Sequence, residues 1–450
     1  MTIKKFKYID ILMYHVEIRQ ITEQNPWWED KGRINEDEKV KESLARAHKI
    51  ENTFSEENEL VIGPRQVGKT TFIKLYIKNL IEKGIDPKRT LYFSCEVLRN
   101  FNDILEIVRF SDTLITGKKY LFFDEVTFVN EWQRAIKFVL DSPLARDKVI
   151  HVTGSSSIEL KKETFPGRKI KTVHFLPLSF KDFCMVFGSK NLKKEISGSI
   201  ETLNVEEMNN RAKELLFYFS EIDRLFNSYT ACGGFPRSMY EHMENGKILD
   251  ETYDIYWKWL IADIAKIERS ERITTSTLLG VLKNYGTRFS LNSIAKEMEI
   301  GSHVTIREYL EILENLFVLR NMFPIDLKKG TEAFARMRKT YFIDPFLFHV
   351  LKRELTKTEI KEEEIPHLIE GIVAEHLARK FGKVCYYYQK KEVDFYINGT
   401  GIEVKWQKRI KKSDFSAVEL KNKILLSRED FEFFENEKML IVPVSVFLLL

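Results

Sequence analysis

Solid apolar runs and helical-period stretches alternate over roughly the first third of this chain. Leu60-Val61-Ile62, Leu91-Tyr92-Phe93-Ser94-Cys95, Tyr120-Leu121-Phe122-Phe123 and Lys148-Val149-Ile150-His151-Val152-Thr153 have strand length and little polar interruption. Between the first two, Phe72, Ile73, Tyr76, Ile77 and Leu80 recur at helical spacing. Strands buried on both faces and separated by amphipathic helices predict a parallel α/β sheet. The pattern then changes. Residues 190–273 are polar and helical, with Leu215, Leu216, Phe219, Ile222, Leu225 and Phe226 at helical spacing, and Gly233-Gly234-Phe235-Pro236 breaks that run with turn chemistry. Residues 290–298 read as a short capped helix, Ile300-Gly301-Ser302 as a tight turn, and residues 305–316 as a second helix with Ile306, Leu310 and Leu313 apolar, continuing to Phe317. This is helix-turn-helix spacing, with Phe317-Val318-Leu319 and Lys339-Thr340-Tyr341-Phe342-Ile343 as wing strands. Near the end, Glu392-Val393-Asp394-Phe395-Tyr396-Ile397 and Ile402-Glu403-Val404-Lys405-Trp406 alternate about Asn398-Gly399-Thr400-Gly401, which predicts a hairpin. The closing apolar tract 439–450 reads as a buried strand, too short to span a bilayer.

Chemistry enters at Gly63-Pro64-Arg65-Gln66-Val67-Gly68-Lys69-Thr70, a complete Walker A loop between a strand and a helix. Its backbone N–H groups would cradle phosphates at a helix N-terminus, with Thr71 counted among the nucleotide-binding residues. Lys69 would reach the β/γ-phosphates and Thr70 would hold Mg²⁺, so the ligand class is a nucleoside triphosphate, ATP. The strand ending in Asp124-Glu125 has the form of a Walker B site: Asp124 for Mg²⁺ through water, Glu125 to orient or deprotonate the attacking water. Lys148–Thr153 leads into Gly154-Ser155-Ser156-Ser157, which brings hydroxyls to the same sheet edge. Ser155 is the candidate for the γ-phosphate or the water and Thr153 the reserve; an N-cap serine for the next helix is the other reading.

At 450 residues and 44% hydrophobic, the chain can bury several cores, so several domains are expected. A net charge of only +4 means that any nucleic-acid surface must come from local clustering. Cys95, Cys184, Cys232 and Cys385 are far apart, without a CxxC pair, which argues against zinc and disulfides and for a reducing, cytoplasmic setting. No membrane partner is expected.

The order of G-P-R-Q-V-G-K-T-T, F-F-D-E, V-T-G-S-S-S, Pro166-Gly167-Arg168, Leu176-Pro177-Leu178-Ser179-Phe180 and Gly233-Gly234-Phe235-Pro236 resembles the AAA+-related archaeal and bacterial P-loop ATPases that carry a C-terminal restriction-endonuclease-like domain. Asn25-Pro26-Trp27-Trp28 is similar to archaeal members. The resemblance implies an N-terminal segment (1–50), a P-loop ATPase core (51–189), a helical lid (190–273), a winged helix (274–345) and a PD-(D/E)xK nuclease-like α/β domain (346–450). It also implies Arg168 as an arginine finger supplied in trans within a homo-oligomer; an ordinary solvated arginine beside Lys161, Lys162, Lys169 and Lys171 is the alternative. Arg237 is either a lid sensor or a surface arginine. Trp27 and Trp28 either cover adenine or pack the N-terminal segment on the core.

In the final hairpin, placing Ile397 opposite Ile402 pairs Asp394 with Lys405 and sets Glu403 on the diagonal, so three charged groups share one face. This is the D…E-x-K arrangement of the PD-(D/E)xK nucleases, in which two carboxylates, Asp394 and Glu403, hold Mg²⁺ or Mn²⁺ at a scissile phosphate and Lys405 stabilises charge. Glu375, on a helix with Leu368, Ile372, Val373 and Leu377, is the expected additional acid. A salt-bridge ladder is the alternative. DNA is the expected partner, with His303, Thr305 and Arg307 at the start of the second helix and Arg336, Arg338 and Lys339 at the wing as contacts, although Glu308, Glu311 and Glu314 place acids on the exposed face of that helix.

Overall fold

The computed structural model describes residues 16–50, 54–155, 165, 167–198, 200–334, 337–416 and 418–450. The chain divides into two compact units that meet in sequence between Leu176 and Pro177.

In the first unit five strands, β1 (Glu59–Ile62), β2 (Thr90–Ser94), β3 (Lys119–Asp124), β4 (Lys148–Gly154) and β5 (Lys171–His174), form one sheet in the order β2-β3-β4-β1-β5. Every pairing is parallel. β3 and β4 are buried at every position, as solid apolar runs between two helical layers must be. The helix Lys69–Glu82 leaves β1 through the glycine loop and buries Ile73, Tyr76, Ile77 and Leu80 in a core shared with Trp27, Val61 and Phe122. β5 is absent from the sequence reading, which placed Lys171 in a basic stretch. Its residues lie largely exposed on the sheet edge, so no apolar run marks it.

The opposite edge, β2, is sealed by the N-terminal segment. Asn25 Oδ1 accepts from Tyr92 N at 2.7 Å while its Nδ2 donates to Tyr92 O at 2.8 Å, and Gln24 Oε1 accepts from Ser94 N at 2.7 Å. Side-chain amides thus do for an edge strand what another strand would do. Trp27 Nε1 donates to Thr90 Oγ1 at 2.9 Å and Trp28 Nε1 to Thr90 O at 2.7 Å. Thr90 begins β2, at the end of the sheet opposite the glycine loop, so of the two roles open to these tryptophans the structure shows packing of the N-terminal segment and not contact with adenine.

The second unit begins with helices, including Phe180–Phe187, Val205–Leu216, Phe219–Cys232, Pro236–Asn245 and Asp250–Lys266. The glycine break falls between Phe219–Cys232 and Pro236–Asn245, as its turn chemistry predicts. Two of the short signatures meet there: Leu178 N donates to Gly234 O at 2.9 Å, and Gly234 N to Asp344 Oδ2 at 2.8 Å. A Cβ on Gly234 would lie 1.9 Å from Leu178 O, so no larger residue fits.

The helices Glu271–Lys283, Leu291–Glu297 and His303–Asn315 follow, then an antiparallel pair, β6 (Leu319–Met322) with β9 (Lys339–Phe342). Between them lies the small hairpin of β7 (Ile325–Asp326) and β8 (Thr331–Glu332). The first wing strand starts at Leu319, later than expected, because Phe317 adopts a positive φ of 57° in ending the helix. Glu314 is not on an open acidic face: it accepts from Asn321 N and Nδ2, both at 3.1 Å.

The helices Pro345–Thr356 and Ile365–Phe381 lead into a mixed sheet of β10 (Cys385–Tyr388), β11 (Glu392–Ile397), β12 (Thr400–Val404), β13 (Asn422–Ser427), β14 (Glu432–Phe434) and β15 (Met439–Pro443), in the order β10-β11-β12-β13-β15-β14. β12, β13 and β15 run parallel and the other neighbours antiparallel. The closing tract is strand only to Pro443; Val444–Phe447 then turns into a short helix.

Candidate functional site

The glycine loop passes close beneath the chain that leaves β5: a Cβ on Gly63 would lie 1.8 Å from Phe175 O. Lys69 opens the loop's helix and is 4% exposed. Its Nζ donates to Gly63 O at 2.9 Å and Pro64 O at 2.8 Å and stands 3.6 Å from Glu125 Oε1. The next residue, Thr70, donates from Oγ1 to Asp124 Oδ2 at 2.7 Å. Pro64, Arg65, Gln66, Val67 and Gly68 complete the loop, with Gln66 and Gly68 at positive φ of 64° and 93°, and Thr71 continues the helix.

Asp124 ends β3 and gathers three hydroxyls: those of Thr70, of Tyr92 at 3.0 Å and of Thr153. Glu125 follows at φ 51°, a left-handed residue that turns its side chain out of the strand's alternation. Its backbone N–H donates to Thr153 Oγ1 at 3.0 Å, and among the described residues its Oε2 is buried without a hydrogen-bond partner. One threonine, on the strand between the glycine-loop strand and the acid strand, therefore orients both carboxylate residues. Thr153, the reserve, makes these contacts; Ser155 is buried at the end of the strand. Ser156, Ser157, Lys161, Lys162 and Pro166 lie outside the described residues. Arg168 is bidentate on Asp141, with Nε 2.9 and 3.0 Å from its two oxygens and Nη2 2.6 Å from Oδ2. Arg237 pairs with Glu241 one helical turn on, at 3.3 Å.

The donor set fits a magnesium nucleotide. The loop supplies backbone and a lysine for phosphate, and Thr70 and Asp124 supply hard oxygens for Mg²⁺.

In the second unit the hairpin register differs from expectation. Ile397 pairs with Thr400 and Phe395 with Ile402 around a two-residue Asn398-Gly399 turn, both at positive φ. Continued one pair further, this register sets Asp394 opposite Glu403; Lys405 lies just past the end of β12. The offset is two residues, so Asp394 and Glu403 keep a common face; a slip of one would have split them. Asp394 Oδ2 accepts from Val404 N at 3.0 Å, Glu403 Oε1 accepts from Ser416 N at 2.9 Å, and Lys405 Nζ is 3.8 Å from Glu403 Oε2.

Glu375 does not join them. Arg320 and Arg379 hold it from two sides, Nε of each at 2.8 Å. The acid that the same helix brings to Asp394 is Glu370, five residues earlier. This helix is buried nearly all round from Leu368 to Glu375, so its apolar stripe does not point to one face. Nor do Arg338 and Lys339 form a phosphate patch: they are 6% and 1% exposed, and Arg336 lies outside the described residues. Lys339 Nζ instead sits 2.8 Å from Glu370 Oε1, 2.7 Å from Glu392 Oε1 and 3.1 Å from Asp394 Oδ1. Tyr341 also donates to Glu370. Burial works against the charge of Lys339, but the surrounding anionic groups outweigh it and hold the ammonium above the ordinary lysine range. Burial, then the Glu370 charge, pushes Asp394 up to about 6. Of the helix residues expected at DNA, His303 and Arg307 are exposed and Thr305 is half-buried.

Among the described residues all four cysteines are free and buried, and no helix is long and apolar enough to cross a membrane. A family described as an AAA domain matches residues 56–184, and a domain of unknown function (DUF8612) matches residues 223–359. An uncharacterised protein of Methanocaldococcus jannaschii is 27% identical over 365 residues, spanning 77% of this chain and 73% of its own. An uncharacterised protein of Haemophilus influenzae is 24% identical over 298 residues, 63% of this chain and 66% of that one. Among solved structures, the Thermotoga maritima RuvB Holliday junction branch migration motor aligns at TM-score 0.26 and 15% identity, over 68% of this chain and 89% of that one. Cdc6p from Pyrobaculum aerophilum aligns at TM-score 0.23 and 13% identity, over 76% and 97%. The AAA-domain match takes in the glycine loop and the acid pair of the first unit.

Proposed function

We propose that the chain is a Mg²⁺-dependent ATP hydrolase whose second unit engages DNA. The observation that carries this reading is the arrangement of Lys69, Thr70, Asp124 and Glu125 around one sheet edge, with Lys69 Nζ 3.6 Å from Glu125 and Thr70 Oγ1 2.7 Å from Asp124. Lys69 and the loop N–H groups bind the phosphates. Asp124 and Thr70 hold the metal, which neutralises phosphate charge when bound. Glu125 accepts the proton of the attacking water or orients it. Arg168 acts as an arginine finger on a neighbouring subunit of a homo-oligomer once it leaves Asp141.

In the second unit, residues 190–273 are read as a lid and 274–345 as a winged helix. The winged-helix reading is supported by Leu291–Glu297 and His303–Asn315 before the β6/β9 pair and by the bridge from Phe289 to Arg338. Residues 346–450 are read as a nuclease-like domain, supported by a mixed sheet that carries Asp394 and Glu403 on one face, with Lys405 just past the strand end and Glu370 as the helical acid. On this reading Mg²⁺ or Mn²⁺ would bind at Asp394 and Glu403 once Lys339 withdraws from Asp394. A second reading, an ATP-gated switch that binds DNA or a protein without cutting, is favoured by the ammonium of Lys339 among those acids.

Two measurements test this. Lys69→Ala is expected to abolish ATP turnover, and Glu125→Gln to lower kcat by about 10²- to 10⁴-fold with ATP still bound; unchanged turnover in both sinks the site. Plasmid nicking with Mg²⁺ or Mn²⁺, with and without ATP, beside Asp394→Ala separates the two readings: cutting lost in the variant selects the nuclease, and intact DNA with working ATPase selects the switch.

A further inference from the structure

We propose that Lys339 is the built-in cation of the C-terminal carboxylate site and keeps a divalent metal out of it. The inference rests on reading Asp394 and its neighbours as a metal-type acid site. Three carboxylates from two elements converge on one nitrogen: Glu370 from the helix Ile365–Phe381, and Glu392 and Asp394 from β11, at 2.8, 2.7 and 3.1 Å. The nitrogen comes from elsewhere in the chain, at the start of β9, and its side chain is 1% exposed.

Hard oxygen donors gathered on one point are what Mg²⁺ and Mn²⁺ take. An ammonium at that point supplies one positive charge in place of two, and its three N–H donors match the three oxygens. Both cations cannot be present. A metal bound by Glu370 and Asp394 would lie next to Nζ, and like charges in a buried setting repel strongly.

A second observation is that the acids have other cations on their outer side. Glu403, opposite Asp394, is 3% exposed; its Oε1 takes the Ser416 N–H, and its Oε2, without a hydrogen bond among the described residues, has Lys405 as its ion-pair partner. His367 Nδ1 stands 3.8 Å from Glu370 Oε2. Lys405 at 3.8 Å and Arg288, on the outer oxygen of Glu392, stand at the rim of the cluster. The site is therefore a latent metal site, held shut by a lysine from outside the acid-bearing elements.

The test is Mn²⁺ titration of the nucleotide-free full chain, with free Mn²⁺ read by electron paramagnetic resonance. Wild type and Asp394→Asn are expected to bind the same number of ions. Lys339→Met is expected to bind one more, and Lys339→Met with Asp394→Asn to lose it. An ion lost from wild type on Asp394→Asn overturns the proposal, because metal and lysine would then coexist. A Lys339→Met chain with native circular dichroism that gains no ion overturns it too. Should Lys339→Met fail to fold, Lys339→Gln replaces it, and the comparison of wild type with Asp394→Asn still decides. A metal-loaded Lys339→Met that leaves plasmid intact supports the proposal while removing the nuclease reading.

Discussion

Thr153 shows how one hydroxyl can orient two adjacent acidic residues. It donates to Asp124 and accepts from the Glu125 N–H at 3.0 Å, so it fixes both the Asp124 carboxylate and the backbone that carries the Glu125 side chain. Losing it would loosen positioning and leave the phosphate-binding loop intact. Thr153→Ala is expected to lower kcat by roughly 10- to 100-fold with little change in the KM for ATP, and Thr153→Ser to restore it. A raised KM at constant kcat would assign Thr153 to binding instead. The sequence pointed to this strand end but could not choose among its hydroxyls. Alternation along a strand that is buried on both faces leaves each position equally buried, and only the neighbouring strand shows which hydroxyl meets Asp124.

At the scale of elements, the N-terminal segment replaces a missing strand. Asn25 satisfies both polar groups of Tyr92 on the edge of the sheet, and an unsatisfied pair there would cost about 2–6 kcal/mol at roughly 1–3 each. Asn25→Ala should lower the melting temperature of the first unit while ATP affinity stays within about twofold. Trp28→Ala tests the same segment from the other side: a large loss of ATP affinity would reinstate the adenine contact. The paired tryptophans were visible in the sequence; their partners were not, because Thr90 lies more than sixty residues away in the chain. The C-terminal hairpin makes a related point. Its charged face was legible from alternation alone, since a shift of two preserves the face, but the register depended on whether two or four residues made the turn.

For the whole molecule, ionisable groups shifted by burial give stability a pH dependence, and one of them lies in the second unit. His376, on the helix Ile365–Phe381, is pushed down to about 3, first by burial and then by the positive charges of Lys380, Arg379 and Lys181. In the unfolded chain it titrates near the usual value of about 6.5. Between these values the unfolded state binds the extra proton, so stability is full above about 6.5 and is lost as pH falls toward 3. Denaturant melts of wild type and His376→Phe from pH 7 to pH 4 should show a steeper acid loss in wild type. Equal slopes would mean that His376 is not held neutral.

The sequence by itself determined what depends on local order: the glycine loop between strand and helix, the acid pair closing a solid apolar strand, the helical middle with its glycine break, and the alternating hairpin. Each rests on a period or a motif a few residues long, and that much information survives in one dimension. Tertiary structure alone decided the rest. It brought β5 to the edge of β1, set the Thr153 hydroxyl on Asp124, and gave Glu375 to two arginines and Glu370 to the hairpin. It also buried Lys339 among three acids. A charged residue in a sequence looks like surface, and it becomes interior only when partners from distant segments offset the cost of desolvating it, which no local pattern records.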